Sequence, residues 1–333
     1  MTRTKLFNDR RVRVLVLLVV FLLCAALPLV FTGTFSRHVM IMIVIWSILG
    51  MGWNFIGGYA GQVSIGHSVF YAIGAYACAI GFKYFNLTPW IGMWIGAAIS
   101  IIVSVLIGWP LLRLKGHYFA VATMAVAESC RVIFINWKSI GGATGVDFLN
   151  KKVDRWFAMQ FPGKIYYFYI YLLFAFVVLL VVMAFDKSKF GYYLRTIKGN
   201  ELAAESVGID TARYKLLAYM LSASIVSIGG SLYAQYLLYI DPPMLMTLKT
   251  SLMICLVTVM GGVGKVFGPI IGAVILTLIS EYSRVLMGGT GKGIDQLIYG
   301  IMVVAVVLYL PNGVLSIFKK RRRAAAGKGE KAK

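Results

Sequence analysis

The sequence predicts an all-α, polytopic membrane protein of about ten transmembrane helices, and three observations carry that prediction. Hydrophobic residues fill 60% of the 333 positions and charged residues only 14%, for a mean hydropathy of +0.82. A soluble domain of this size needs more polar surface to cover its core. The apolar residues fall in runs of roughly 20, the length a helix needs to cross the hydrocarbon. The short alternating strands of a membrane β-barrel are missing from the sequence.

Candidate spans fall at 12–31, 38–55, 63–82, 90–112 and 118–137, then at 165–185, 214–236, 245–260, 266–282 and 294–310. The first follows the basic stretch RTKLFNDRRVR and resembles a signal-peptide core. Its apolar run continues to Phe31, so an uncleaved first helix is expected. The formal net charge of +21 is concentrated at the termini and between spans, the pattern of cytoplasmic loops rather than of a nucleic-acid surface. With the N-terminus inside, the turn 113–115, the stretch 187–215 and the C-terminal KKRRR all fall on the cytoplasmic side, giving an N-in, C-in chain. The loop 136–164 falls outside, its lysines offset by Asp147 and Asp154. The expected organisation is a basic cytoplasmic N-terminus over 1–11, a transmembrane domain over 12–318 with a polar loop at 186–213, and a basic disordered tail over 319–333.

Enzyme chemistry finds little to work with. Cys24, Cys78, Cys130 and Cys255 lie singly in apolar sequence, so neither disulfides nor a metal site are expected. GGVGKV and GGTGKG mimic a phosphate loop, but Lys265 is followed by Val266 and Lys292 by Gly293, where a Ser or Thr is required. Of twelve acids only Glu128 sits well inside a span, with Arg131 three residues on along the same helical face. It reads either as a packing salt bridge or as a group in a substrate path. His67, beside Ser64 and Ser68, reads as a satisfied packing residue or as a proton relay.

Two stretches interrupt the helical pattern. NFIGGYAGQVSIGH (54–67) and MGGVGKVFGPIIGA (260–273) are dense in glycine, and such breaks at membrane depth mark bends, close packing or a substrate path. The candidates for a translocation path or for helix packing are Gly58, Gly61, Gln62, Ser64, Gly66 and His67 in the first, with Thr123 and Glu128 of the 118–137 span. Gly261, Gly262, Gly264, Gly268, Pro269 and Gly272 are those of the second. The stretches echo each other loosely, but their places in the span order do not fit a simple five-plus-five duplication.

The longest polar stretch is GYYLRTIKGNELAAESVGIDTARYKL (191–216). Asn200 is a good N-cap, Glu201 sits in the first turn where the helix dipole favours an acid, and Gly208 is a natural terminator after Val207. Asp210 or Thr211 then caps the next helix. The prediction is a short helix from about Glu201 to Val207, with Glu201 and Glu205 on one face and Ala203, Ala204 and Val207 offering apolar surface. A solvated interfacial helix has the same pattern.

Taken with its neighbours, this segment resembles the cytoplasmic coupling loop of ABC importer permeases, on Glu201, Ala203, Ala204 and Gly208. GYAGQVSIGHSVFYAIGAY (58–76), RLKGHYFAVATMAVAE (113–128), LRTIKGNELAAESVGIDTARYKLLAYMLSA (194–223) and the 260–273 stretch narrow the resemblance to the branched-chain amino acid permease family of the LivM type. His117 stands where that pattern has an acid, and the loop after Trp137 diverges. The resemblance implies about ten helices, a second homologous permease chain, two ATPase subunits that hold ATP and magnesium, and an extracytoplasmic solute-binding protein. No cofactor is then expected on this chain. It implies ATP-driven import of hydrophobic amino acids across the bacterial cytoplasmic membrane, although similar chains serve urea, short amides or other small solutes. Arg195, Asn200, Glu201, Ala203, Ala204, Glu205 and Gly208 become the expected ATPase-coupling residues. Two other classes remain at this stage: an ion-coupled secondary transporter using an intramembrane acid such as Glu128, and a non-transporting assembly or receptor protein.

Overall fold

The computed structural model describes residues 10–114, 116–149 and 154–286, together with 300–301, 304 and 313–314. The first half holds α1 (Arg10–Val30), α2 (Thr34–Trp53), α3 (Ser68–Phe85), α4 (Pro89–Leu111) and α5 (His117–Asn136). A short α6 (Arg155–Ala158) precedes α7 (Lys164–Asp186), α8 (Lys189–Gly199), α9 (Glu201–Ser206) and α10 (Thr211–Leu237). Then come α11 (Pro242–Leu245), α12 (Leu248–Gly261) and α13 (Gly268–Leu286). Among the described residues eight helical segments are long and apolar enough to cross a membrane. Strand is confined there to one antiparallel pair, Val146–Asp147 (β1) with Tyr239–Ile240 (β2). The expected span 294–310 lies almost entirely outside the described residues.

Two span boundaries depart from the sequence reading, and glycine is the physical reason for the larger departure. The second span does not end near Phe55: α2 runs into a π-helical turn, Asn54–Tyr59. The third does not begin at Val63, because the chain is unwound from Ala60 to His67 and α3 starts at Ser68. Gly61 takes φ +74°, a left-handed conformation that ends the wide turn and that side chains rarely adopt. The 245–260 span is likewise divided, with α11 and α12 separated by Met246 and Thr247.

The bundle centre is built on close backbone approach, since apolar burial alone gives helices no preference for each other over lipid. A Cβ on Gly74 of α3 would lie 1.9 Å from the Ser227 carbonyl of α10, and one on Gly230 would lie 1.9 Å from the Tyr71 carbonyl. Ser231 Oγ donates to the Gly74 carbonyl at 2.8 Å across the same seam. α2 is enclosed by α7, α10, α12 and α13, and its second half from Ser47 to Trp53 is buried throughout. α4 and α7 form outer walls whose exposed side chains are apolar, among them Ile99, Ile102 and Leu106 on one and Leu173, Val177 and Val181 on the other.

One end of the bundle carries α8, α9, Arg113 and the Gly264–Lys265 turn. The opposite end carries the β pair and α6, where Thr88 and Trp90 donate to the carbonyls of Phe157 and Trp156.

Candidate functional site

The polar segment folds as a chain of capped helices. Ser188 Oγ accepts from the Gly191 N–H at 3.2 Å to open α8. Asn200 Oδ1 accepts from the Ala203 N–H at 3.2 Å to open α9, and Asp210 Oδ1 accepts from the Arg213 N–H at 3.0 Å to open α10. Gly208, at φ +85°, reverses the chain after α9. Each cap satisfies N–H groups that a helix start leaves without a partner. The expected start of the short helix holds, and its last helical residue is Ser206 rather than Val207.

Glu201 and Glu205 share one face of α9, as the spacing expects, and both bond to the first turns of α10, with Glu205 still exposed. Lys215 Nζ donates to Glu201 Oε1 at 2.5 Å, and Thr211 Oγ1 donates to Glu205 Oε1 at 2.7 Å. The cause is Lys215: its side chain is only 3% exposed, and a buried ammonium requires a counter-charge. Ala204 is fully buried beneath the helix, so it offers no outer surface. The exposed apolar residues are Leu202 and Val207, and Ala203 is exposed beside them. A groove of about 440 Å³ runs beside α9, lined by Trp109, Arg113, Glu205, Asp210, Arg213 and Leu216 among others.

The same segment is joined to both glycine-rich stretches. Arg195 donates to Asp186 Oδ1 at 2.5 Å and lies 5.5 Å from the centre of the Tyr59 ring, while Tyr59 donates to the same carboxylate at 2.9 Å. Lys198 Nζ donates to the Gly58 carbonyl at 2.8 Å, and burial holds its ammonium below the ordinary lysine value. Asn54 accepts from the Gly264 N–H at 2.9 Å and donates to the Lys265 carbonyl at 3.2 Å. The stretches that echo each other in sequence therefore meet in space, with Lys198 at their junction. A Cβ on Gly58 would lie 1.9 Å from Asn54 Oδ1, so the junction has no room for a side chain there.

Deeper in the bundle the unwound segment is fixed by buried polar groups. His67 Nδ1 and Nε2 lie 2.9 Å from Ser64 Oγ and 2.8 Å from Ser222 Oγ, and Trp53 Nε1 donates to the Ser64 carbonyl at 2.8 Å. Thr123 Oγ1 accepts from the Ile65 N–H at 3.1 Å, and a Cβ on Gly66 would lie 2.3 Å from the Thr123 carbonyl. Gln62 is largely buried, and Gly61 lies against the Lys198 stem. In the α12–α13 hairpin a Cβ on Gly261 would lie 1.7 Å from the Gly268 carbonyl and one on Gly272 1.8 Å from the Val257 carbonyl. Gly262, at φ +130°, turns the chain ahead of Gly268, and Pro269 packs near Gly50 of α2. Glu128 is not brought to this assembly: it pairs with Arg131, as the spacing expects, on the exposed side of α5.

Sequence reasoning singled out neither Asn54 nor Lys198 for these roles. Asn54 opens the first glycine stretch, a polar residue at a span's end, and Lys198 is one among many basic residues. The available signal was Asn54 itself, a polar side chain at the point where the helical pattern breaks.

Comparison with known proteins agrees with this architecture. The family described as branched-chain amino acid transport system, permease component, matches residues 37–307. The high-affinity branched-chain amino acid transport system permease protein LivM of Escherichia coli is 27% identical, over 96% of this chain and 79% of that protein. Its counterpart in Salmonella typhimurium is 27% identical, over 89% of this chain and 74% of its own length. The nucleoside ABC transporter permease protein NupC of Lactococcus lactis is 24% identical, over 53% of this chain and 59% of that protein. No solved structure matches the chain. With its spans, glycine stretches and capped polar loop inside the matched region, the chain belongs to the permease-component family of branched-chain amino acid ABC transport systems, as a multi-pass protein of the cytoplasmic membrane.

Proposed function

We propose that this chain is the membrane subunit of an ATP-driven importer, with α9 as the element through which separate ATPase subunits move the transmembrane helices. The observation that carries the reading is the mounting of α9. A short helix capped at both ends exposes Leu202 and Val207, while Glu201 and Glu205 bind it to α10. Force applied to Leu202 passes into a spanning helix through a charged, partly buried contact, and Lys198 extends the connection to the Asn54–Gly264 junction. Rigid-body tilting of packed helices is the expected response.

On this reading the transmembrane domain covers 12–318, the basic segments 1–11 and 319–333 are cytoplasmic, and ATP with magnesium is held by the partner ATPases. A second homologous permease chain and an extracytoplasmic solute-binding protein complete the assembly. The solute is a hydrophobic, branched-chain amino acid, in keeping with the LivM proteins it is similar to. The test is uptake of radiolabelled leucine by vesicles containing the reconstituted assembly. Uptake should require ATP, magnesium and the binding protein, and the pair Leu202→Asp with Val207→Asp should abolish it at least tenfold while the assembly's permease chains still insert. Uptake driven by an ion gradient without ATP overturns the proposal.

A further inference from the structure

The groove beside α9 continues a surface built for lipid. Ile102, Leu106 and Trp109 are exposed on α4 at helical spacing, and their stripe leads to exposed Arg113 in the turn that follows the helix. Apolar side chains, then a tryptophan, then an arginine is the order expected where a span passes from hydrocarbon into the headgroups. The Arg113 guanidinium lies 6.0 Å from the centre of the Trp109 ring. The first turns of α10, from Thr211 to Leu216, and Glu205 of α9 complete the lining. α4 and α10 meet at Gly108, where an added Cβ would lie 3.1 Å from Leu216 Cδ1.

The charges of this groove are balanced and unspent. Glu201 is matched by Lys215. Among the described residues neither Arg113 nor Arg213 pairs with a carboxylate, whereas Arg131, Arg195 and Arg284 each do. Glu205 and Asp210 accept from the Thr211 hydroxyl and the Arg213 N–H, each through one oxygen, and neither pairs with a cationic side chain among those residues. Two guanidiniums and two carboxylates, all on exposed residues, therefore share a groove of about 440 Å³ with an apolar lining. A purely anionic ligand would gain from the arginines and be repelled by the acids. A zwitterionic amphiphile satisfies both signs.

We infer that this groove binds a phospholipid with an ethanolamine headgroup, its phosphate on Arg113 and Arg213, its ammonium toward Glu205 and Asp210, and its acyl chains along Leu106 and Ile102. Guanidinium forks match phosphate oxygens in pairs. The primary ammonium of ethanolamine has N–H groups to donate to both carboxylates, which the methylated ammonium of choline lacks, and a glycerol headgroup brings no positive charge. Leu202 and Val207 do not line the groove, so a lipid held there leaves the surface offered to an ATPase uncovered. The inference goes beyond the transport reading and stands or falls without it.

The test is lipid binding to the full-length chain in mild detergent, followed by native mass spectrometry. Phosphatidylethanolamine, phosphatidylglycerol and phosphatidylcholine with identical acyl chains are titrated in turn. The unsubstituted chain should hold phosphatidylethanolamine at least five-fold more tightly than either of the others. Arg113→Gln with Arg213→Gln should lower that binding at least five-fold. Glu205→Gln with Asp210→Asn, which keep an acceptor for Thr211 and for the Arg213 N–H, should abolish the preference over phosphatidylglycerol. Lys189→Gln, an exposed lysine at the same end of the bundle, should change neither. Thermal unfolding matched to that of the unsubstituted chain establishes that each variant is folded, and the comparison of the three lipids requires no variant. Equal binding of the three, preference for the glycerol or choline lipid, or binding indifferent to both pairs of substitutions overturns the inference.

Discussion

Lys215 is the residue on which the α9–α10 contact turns. Its ammonium is buried and its partner Glu201 keeps nearly a third of its side chain in solvent, so the two substitutions of the pair are unequal. Glu201→Ala strands a buried charge and should cost about 3 kcal/mol, the lower end for breaking a buried pair. Lys215→Met leaves a carboxylate that still reaches water and Thr211, and should cost about 1 kcal/mol or less. Thermal unfolding of the detergent-purified protein checks the order, and equal losses would show that the contact is not anchored at Lys215. Lys198 acts at a different point. Its bond to the Gly58 carbonyl is charge-assisted, worth about 1.5–3 kcal/mol. In the proposed importer, Lys198→Met should keep the chain inserted and ATP hydrolysis intact while lowering leucine uptake several-fold, because the α8 end is released from the glycine junction. Loss of ATP hydrolysis together with uptake would instead assign Lys198 to ATPase docking.

At the scale of elements, the glycines divide by the reason each is needed. Gly208 is needed for backbone conformation alone: φ is +85° and an added Cβ would meet nothing within 4 Å. Gly208→Ala should therefore cost only about 1 kcal/mol, the left-handed penalty, and leave α9 in place. Gly261 sits in a helix hairpin where an added Cβ would lie 1.7 Å from a backbone carbonyl, which no rotamer change relieves. Gly261→Ala should abolish accumulation of the folded chain in membranes, measured by protease resistance; near-normal levels for Gly261→Ala would refute the hairpin packing. The sequence made the caps of α9 legible because Asn200, Gly208 and Asp210 act on neighbours within a few residues. It left the direction of Glu201 and Glu205 illegible, since that is set by a lysine ten to fourteen positions away and by how deeply α10 buries it. The glycine stretches were visible as helix breaks, but their mutual contact through Asn54 spans more than two hundred residues and has no local signature.

For the whole molecule, charge distribution and packing answer different questions. Apolar run length located the spans to within a few residues wherever a helix was continuous, and failed at 54–67, where the chain turns back inside the bundle. Exposure then separates faces that hydropathy treats alike: α4, α5 and α7 are all apolar enough to span, yet only α5 among these three presents an ion pair outward. Charge sets the orientation. Arg113, Lys187, Lys189, Arg195, Lys198 and Arg213 gather at the end that carries α8 and α9, and the positive-inside bias predicts that this end is cytoplasmic. The opposite end, where Trp156 of α6 is exposed, is then predicted to face outward. Val207→Cys and Trp156→Cys, each made in a chain with its four cysteines replaced by serine or alanine, test this arrangement. A membrane-impermeant maleimide added to intact cells should label Trp156→Cys and spare Val207→Cys, and inside-out vesicles should reverse the pattern. Both substitutions lie on exposed side chains, so loss of labelling at one site reports the side of the membrane rather than burial. Labelling of Val207→Cys from outside the cell would place α9 beyond the reach of any cytoplasmic ATPase, and would remove the coupling role along with the orientation.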